Sequence, residues 1–106
     1  QVLGAIWRRV GTHPVFLSFD IDFLDPVFAP GTGTPEIGGF TTWEAQEFLW
    51  GLVGLRIVGA DLVEVLPDRD PSGVTALIAA NLVFDMIAVI SASRREQGHG
   101  ATDRAQ

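Results

Sequence analysis

The chain of 106 residues contains no cysteine, which excludes disulfide bridges and thiolate metal sites and suits a reducing, cytoplasmic setting. Basic residues are scarce as well. Seven Lys and Arg stand against thirteen Asp and Glu for a net charge of −6, and the only basic runs are Arg8-Arg9 and Arg94-Arg95. Phosphate backbones are held by clustered basic side chains, so nucleic acid is disfavoured as a partner, whereas a cationic ligand suits the acidic balance. A membrane-length apolar run is also missing. The longest candidate, residues 74–90, falls short of about 20 residues and is interrupted by Asn81 and Asp85, so no membrane partner is expected. Histidine is limited to His13 and His99. His13, separated from the next apolar run by Pro14, reads as a surface or helix-end residue.

Apolar residues make up 47% of the chain and the mean hydropathy is +0.29, rich for one small domain. Such a composition predicts apolar surface in need of cover, and hence a homo-oligomer. The pattern reads as helix end, strand, loop, helix, strand, loop, helix. Residues 1–10 resemble the last turns of a helix stopped by Gly11, and residues 15–19 form an apolar run of the kind a parallel sheet buries on both faces. Thr41 and Glu44 form a Thr-x-x-Glu capping box that opens a second helix reaching about Gly54, and residues 56–66 form a second strand. Strand, crossover helix and strand make a right-handed βαβ unit with parallel strands, hence an α/β fold with helices on both faces of the sheet. Leu77, Leu82, Phe84, Met86 and Ile90 recur at helical spacing on several faces, as in a helix covered on more than one side. From Ser93 onward a frayed tail is expected; residues 1–93 form the α/β part and 94–106 a flexible tail.

Chemistry concentrates where the first strand ends. Asp20 and Asp22 stand one residue apart, and they converge on one place only if they sit where the strand leaves its sheet. Carboxylates held together repel, and a hard divalent cation of the Mg, Ca or Mn type is the usual compensation. The plainer alternative is a pair of solvated carboxylates capping the next turn. Pro26, Pro30, Pro35, Gly31, Gly33, Gly38 and Gly39 then exclude helix and inner strand from residues 26–40, leaving a long ordered loop of the kind that is usually functional. In an open α/β sheet that loop lies at the carboxyl ends of the strands, where ligands bind. Glu64 interrupts an otherwise apolar strand, and an acid is rarely buried without a partner. An exposed strand-end glutamate is the plainer reading. Asp25 reads as a turn former before Pro26, Asp61 and Asp70 as structural, and Trp7, Trp43 and Trp50 as packing residues.

Ser18-Phe-Asp-Ile-Asp, Leu24-Asp-Pro and Ala29-Pro-Gly-Thr-Gly-Thr-Pro-Glu-Ile-Gly-Gly39 resemble the second metal-binding motif of the ureohydrolases, the arginase and agmatinase family of binuclear manganese enzymes. The resemblance continues through Thr41-Thr-Trp-Glu44, Gly59-Ala-Asp-Leu-Val-Glu-Val-Leu-Pro67 and Asp70-Pro-Ser-Gly73, and its wording is nearer agmatinase and guanidinobutyrase than arginase. It implies a three-layer arginase-like sheet, incomplete here, because the Gly-Gly-Asp-His and Asp-Ala-His-x-Asp motifs that complete the family's two metal sites are absent. The chain therefore reads as a carboxy-terminal portion, inactive alone. The resemblance implies that Asp20 bridges two manganese ions, that Asp22 binds one of them, and that Glu64 contacts the guanidinium of the substrate with Thr34 beside it. The implied reaction is hydrolysis of agmatine or a guanidino acid to urea and an amine, as in polyamine metabolism.

Two alternatives stand beside it. An apolar strand ending in Asp-x-Asp also resembles the first motif of haloacid-dehalogenase-like phosphotransferases, but those require Thr or Ser where this chain has Leu24. The other alternative is a non-catalytic interaction or oligomerisation fragment.

Overall fold

The computed structural model describes residues 2–33 and 37–105, with side chains described as far as residue 98. Helix α1 spans Val2–Val10 and strand β1 Val15–Asp20; a 3-10 turn at Ile21–Phe23 leads into the loop. Helix α2 spans Thr42–Trp50, strand β2 Ile57–Val63, a second 3-10 turn Pro67–Arg69, and helix α3 Val74–Ala105. The order matches the sequence reading, and β1 and β2 are parallel, as a strand–helix–strand unit requires.

Local chemistry accounts for the boundaries. The Thr41 hydroxyl accepts from the Glu44 N–H while the Glu44 carboxylate accepts from the Thr41 N–H, both at 3.0 Å, so the expected capping box is formed. Asp70 starts α3 by accepting the N–H groups of Thr75 and Ala76 on its two oxygens, each at 3.0 Å. Those bonds hold its carboxyl below the ordinary value, the Thr75 N–H contributing most.

The core lies between one face of the sheet and the helices. Leu17 and Phe19 of β1, with Phe19 buried, join a core that includes Leu49 of α2 and Leu82, Met86 and Val89 of α3. The opposite face, with Phe16 and Ser18 of β1 and Asp61 of β2, is exposed. The expectation that β1 is covered on both faces is thus met on one, and the three-layer arrangement appears here as two layers. Alternation along the strand separates the faces, and no described element lies over the second one.

Two further boundaries differ from the expectation. Helix α3 does not fray at Ser93: the Ser93 side chain is buried and its hydroxyl accepts from the Gly54 N–H at 2.9 Å, while Gln97 Nε2 donates to Gly54 O at 3.3 Å. Arg94, Arg95, Glu96 and Gln97 are strong helix formers, so the helix persists beyond its apolar stretch. Its segment Val74–Gly98 is, by length and composition, apolar enough to cross a membrane, so length is no argument against a span. Part of the segment packs inside the protein. Leu82, Met86 and Val89 are seated in the core, and Asp85 accepts from Gln46 Nε2 at 3.0 Å and, more weakly, from Trp50 Nε1 at 3.4 Å. All three tryptophans are exposed in part: Trp7 packs on Gly54 and donates to Gly51 O, while Trp43 and Trp50 are more exposed and do not fill the core.

Candidate functional site

The parallel register sets Asp20 opposite Val63, so Asp20 and Glu64 both stand at the carboxyl end of the sheet, where ligands gather in α/β folds. Asp20 is the last residue of β1 and Asp22 lies in the turn that follows. Asp20 Oδ1 accepts the Asp22 N–H at 3.0 Å, so Asp20 caps the turn that carries Asp22. The Asp20 carboxyl is raised above its ordinary value, first by burial and further by the neighbouring Asp22 and Glu64 charges, with the Asp22 N–H opposing. A groove of about 380 Å³ opens beside Asp20 and Asp22, its lining including Leu17, Ser18, Phe23 and Phe48 but not Glu64.

Glu64 lies just past the strand, not within it. The second strand is shorter than expected because β2 ends at Val63, and Glu64 takes φ 73°. A residue other than glycine in the left-handed region carries strain of order 1 kcal/mol, and such strain clusters at functional positions. The turn aims the carboxylate at the loop: a Cβ placed on Gly33 would stand 3.7 Å from Glu64 Oε2. Thr34 lies outside the described residues.

The loop that carries Gly33 is pinned at several points. Its neck is closed by the Leu24–Phe40 bridge and by the Phe23–Phe40 ring stack at 4.2 Å. Asp25 ties both limbs, one oxygen accepting the Val27 N–H at 2.9 Å and the other the Gly38 N–H at 3.0 Å. These bonds, Val27 foremost, hold its carboxyl below the ordinary value. The structural role read for Asp25 is thus filled. Gly39 presses on this limb so closely that a Cβ would sit 2.7 Å from the Asp25 amide nitrogen. Deeper in the loop, Gly31 N–H donates to Thr75 Oγ1 at 2.8 Å and Gly31 O accepts from the Leu66 N–H at 2.8 Å. A Cβ on Gly31 would meet Asp70 Cβ at 2.6 Å. Asp70, which caps α3, thereby also seats the loop.

Sequence reading missed this Gly31–Asp70–Thr75 junction and the contact of Arg69 Nη1 with Gly33 O at 3.1 Å. The available signals were an Asp shortly before a helical run and one arginine in an acidic segment. His13 is exposed with its ring against Val10 O, away from the carboxylates in sequence and by element, as read.

Asp20 and Asp22 offer hard oxygen donors on half-buried, mutually repelling carboxylates, which fits part of the shell of a divalent cation. They do not make a complete site: among the described residues no group of three or more His, Cys, Asp or Glu is placed to hold a metal ion.

The sequence profile of the Arginase family matches residues 1–88. The mitochondrial agmatinase of Gallus gallus is 55% identical over 89 residues, covering 84% of this chain and 26% of that protein. Guanidinopropionase of Pseudomonas aeruginosa is 54% identical over 91 residues, covering 86% and 29%. Among solved structures, proclavaminate amidino hydrolase from Streptomyces clavuligerus superposes with a TM-score of 0.83 at 37% identity, over 87% of this chain and 31% of that one. A hypothetical agmatinase from Burkholderia thailandensis gives 0.81 at 44% identity, over 92% and 30%. The chain thus spans roughly a quarter to a third of the length of these relatives. The profile match decides against the haloacid-dehalogenase-like alternative.

Proposed function

Since the chain belongs to the arginase (ureohydrolase) family, we propose that it supplies one wall of a site that hydrolyses a guanidino compound, agmatine or a guanidino acid, to urea and an amine. The observation that carries this reading is the placement of Asp20, Asp22 and Glu64 at the carboxyl end of two parallel strands, where burial, and then the Asp22 and Glu64 charges, raise the Asp20 carboxyl. In the proposal Asp20 and Asp22 would hold manganese through their carboxylate oxygens. When bound, the ions supply Lewis acidity and lower the pKa of the attacking water. Glu64 orients the substrate, since a carboxylate accepts two parallel hydrogen bonds from a planar guanidinium, and Thr34 follows Gly33 in sequence. The pinned loop keeps the cation from turning away from the attacking water, which is a positional contribution to catalysis.

Two carboxylates do not fill the shells of two ions. We therefore expect weak manganese binding and no appreciable turnover from this polypeptide by itself. Titration with manganese, followed by water-proton relaxation, checks the first expectation: the wild-type chain enhances relaxation, and Asp20→Asn and Asp22→Asn each reduce it. Equal relaxation in all three would remove Asp20 and Asp22 from the site. Urea released from agmatine or 4-guanidinobutyrate by the purified chain would overturn the second. The cytoplasmic setting belongs to the same proposal and rests only on the lack of thiols.

A second reading has its own support. Leu77, Phe84 and Ile87 on α3 and Phe16 on β1 are each more than 60% exposed, more apolar surface than a lone domain of this size ordinarily shows. We propose that these faces associate with polypeptide and not with lipid. Light scattering of the purified chain is expected to give more than one copy per particle, and a monomer at millimolar protein would count against it.

A further inference from the structure

Among the described residues, the carboxyl end of the sheet holds one cation that the proposed chemistry does not use. Arg69 closes the turn Pro67–Arg69, where its backbone N–H donates to Leu66 O at 3.0 Å, and its Nη1 donates to Gly33 O at 3.1 Å. Gly33 is also the residue against which Glu64 Oε2 lies. A guanidinium and a carboxylate therefore flank the same glycine, each on a short, fixed lead from β2. All seven basic residues of the chain are arginine. Arg8 and Arg9 lie on α1, Arg56 precedes β2 at the other end of the sheet, and Arg94, Arg95 and Arg104 lie toward the end of α3. Arg69 is the only basic residue between Arg56 and Arg94.

We infer that Arg69 reads the far end of the substrate and favours a guanidino carboxylic acid over a guanidino amine. This rests on the reading of Glu64 as the carboxylate that takes the guanidinium. With that end fixed, the rest of a short substrate extends past Gly33 and ends in either a carboxylate or an ammonium group. Arginine has five N–H donors in a planar fork, and the bond to Gly33 O uses only one. The fork pairs with a carboxylate in two parallel bonds and repels an ammonium group. Asp70, adjacent in sequence, does not offset Arg69, because both its oxygens accept N–H groups from the start of α3. The bond to Gly33 O fixes the guanidinium before substrate arrives, which lowers the ordering cost of binding.

The test is a titration of the ¹⁵N-labelled whole chain with 4-guanidinobutyrate and with agmatine at equal ionic strength, following the amide signals of Gly33 and Glu64. The wild-type chain is expected to bind the acid more tightly than the amine. Arg69→Gln is expected to weaken the acid about two- to fivefold, the range for an exposed ion pair, and to leave or improve the amine. Arg69→Lys, which keeps the charge, is expected to recover part of the preference. Glu64→Gln is expected to weaken both ligands. Tighter binding of agmatine by the wild type, or an unchanged preference in Arg69→Gln, overturns the role of Arg69 and leaves Glu64 standing. Absence of response to either ligand, or no effect of Glu64→Gln, removes the guanidinium reading itself and this inference with it.

Discussion

The carboxyl end of the sheet and the outer face of α3 were built by different rules. At the sheet end backbone and side chain are matched at named points, although the buried Thr32 hydroxyl has no partner among the described residues: Asp25 and Asp70 each use both oxygens on backbone N–H groups, and Gly31 and Gly39 admit contacts closer than any side chain allows. On α3, eight residues carry the helix from a bare apolar face through the core and back: Leu77 and Phe84 are exposed while Leu82 is buried. Hydrogen bonds fix where a loop lies, whereas apolar burial only requires that something cover the surface. The first region is specified by this chain and the second by whatever packs on it.

Mutation breaks this contrast most sharply within α3. Leu82→Ala is expected to cost about 3 kcal/mol in urea unfolding, since Leu82 is fully buried. Phe84→Ser, two residues away on the outer face, is expected to change stability by about 0.5 kcal/mol or less while lowering the particle size seen by light scattering. Comparable losses in both variants would mean that the helix is buried on both sides in solution.

Next in size is Gly39→Ala, expected to cost about 1–3 kcal/mol because the added carbon meets backbone of Asp25 and Leu24, which cannot swing away as a side chain would. Urea unfolding with chemical shifts of residues 25–40 checks both the loss and its location. A neutral result would show that the loop neck gives.

The smallest effect is a matter of sign. A carboxyl raised in the folded state adds stability only in acid and loses it as pH rises through its folded pKa, so Asp20→Asn is expected to raise Tm at pH 7 and to bring no gain below the ordinary value of 3.8. Asp25 and Asp70 behave oppositely: their lowered carboxyls contribute above 3.8, and that contribution is lost as pH falls through their folded pKa. Thermal melts of wild type and Asp20→Asn from pH 3 to 8 test both. A lower Tm for Asp20→Asn at neutral pH would mean that the carboxylate is tied more firmly than its neighbours imply.

Much of the site was legible because its spacing is local. Asp20 and Asp22 had to stand at a strand end to converge, and Thr41 with Glu44 named its helix start from two side chains three residues apart. What sequence withheld depends on contacts between distant segments. Glu64 looked like part of a strand because nothing in Val63-Glu64-Val65 announces a positive φ; the turn arises where the segment meets Gly33. The continuation of α3 past Ser93 was hidden for a similar reason, since its tie to Gly54 spans 39 residues. The open outer face of β1 could not be read from an apolar run that serves equally in a two-layer or a three-layer fold.

The torsion at Glu64 has a consequence for anyone improving this polypeptide in the laboratory. Glycine or asparagine would relax the backbone there, so a library screened for heat resistance alone would enrich such replacements. Each enriched clone would have discarded the group proposed to recognise the ligand, and the hardiest variants would be the ones blind to it.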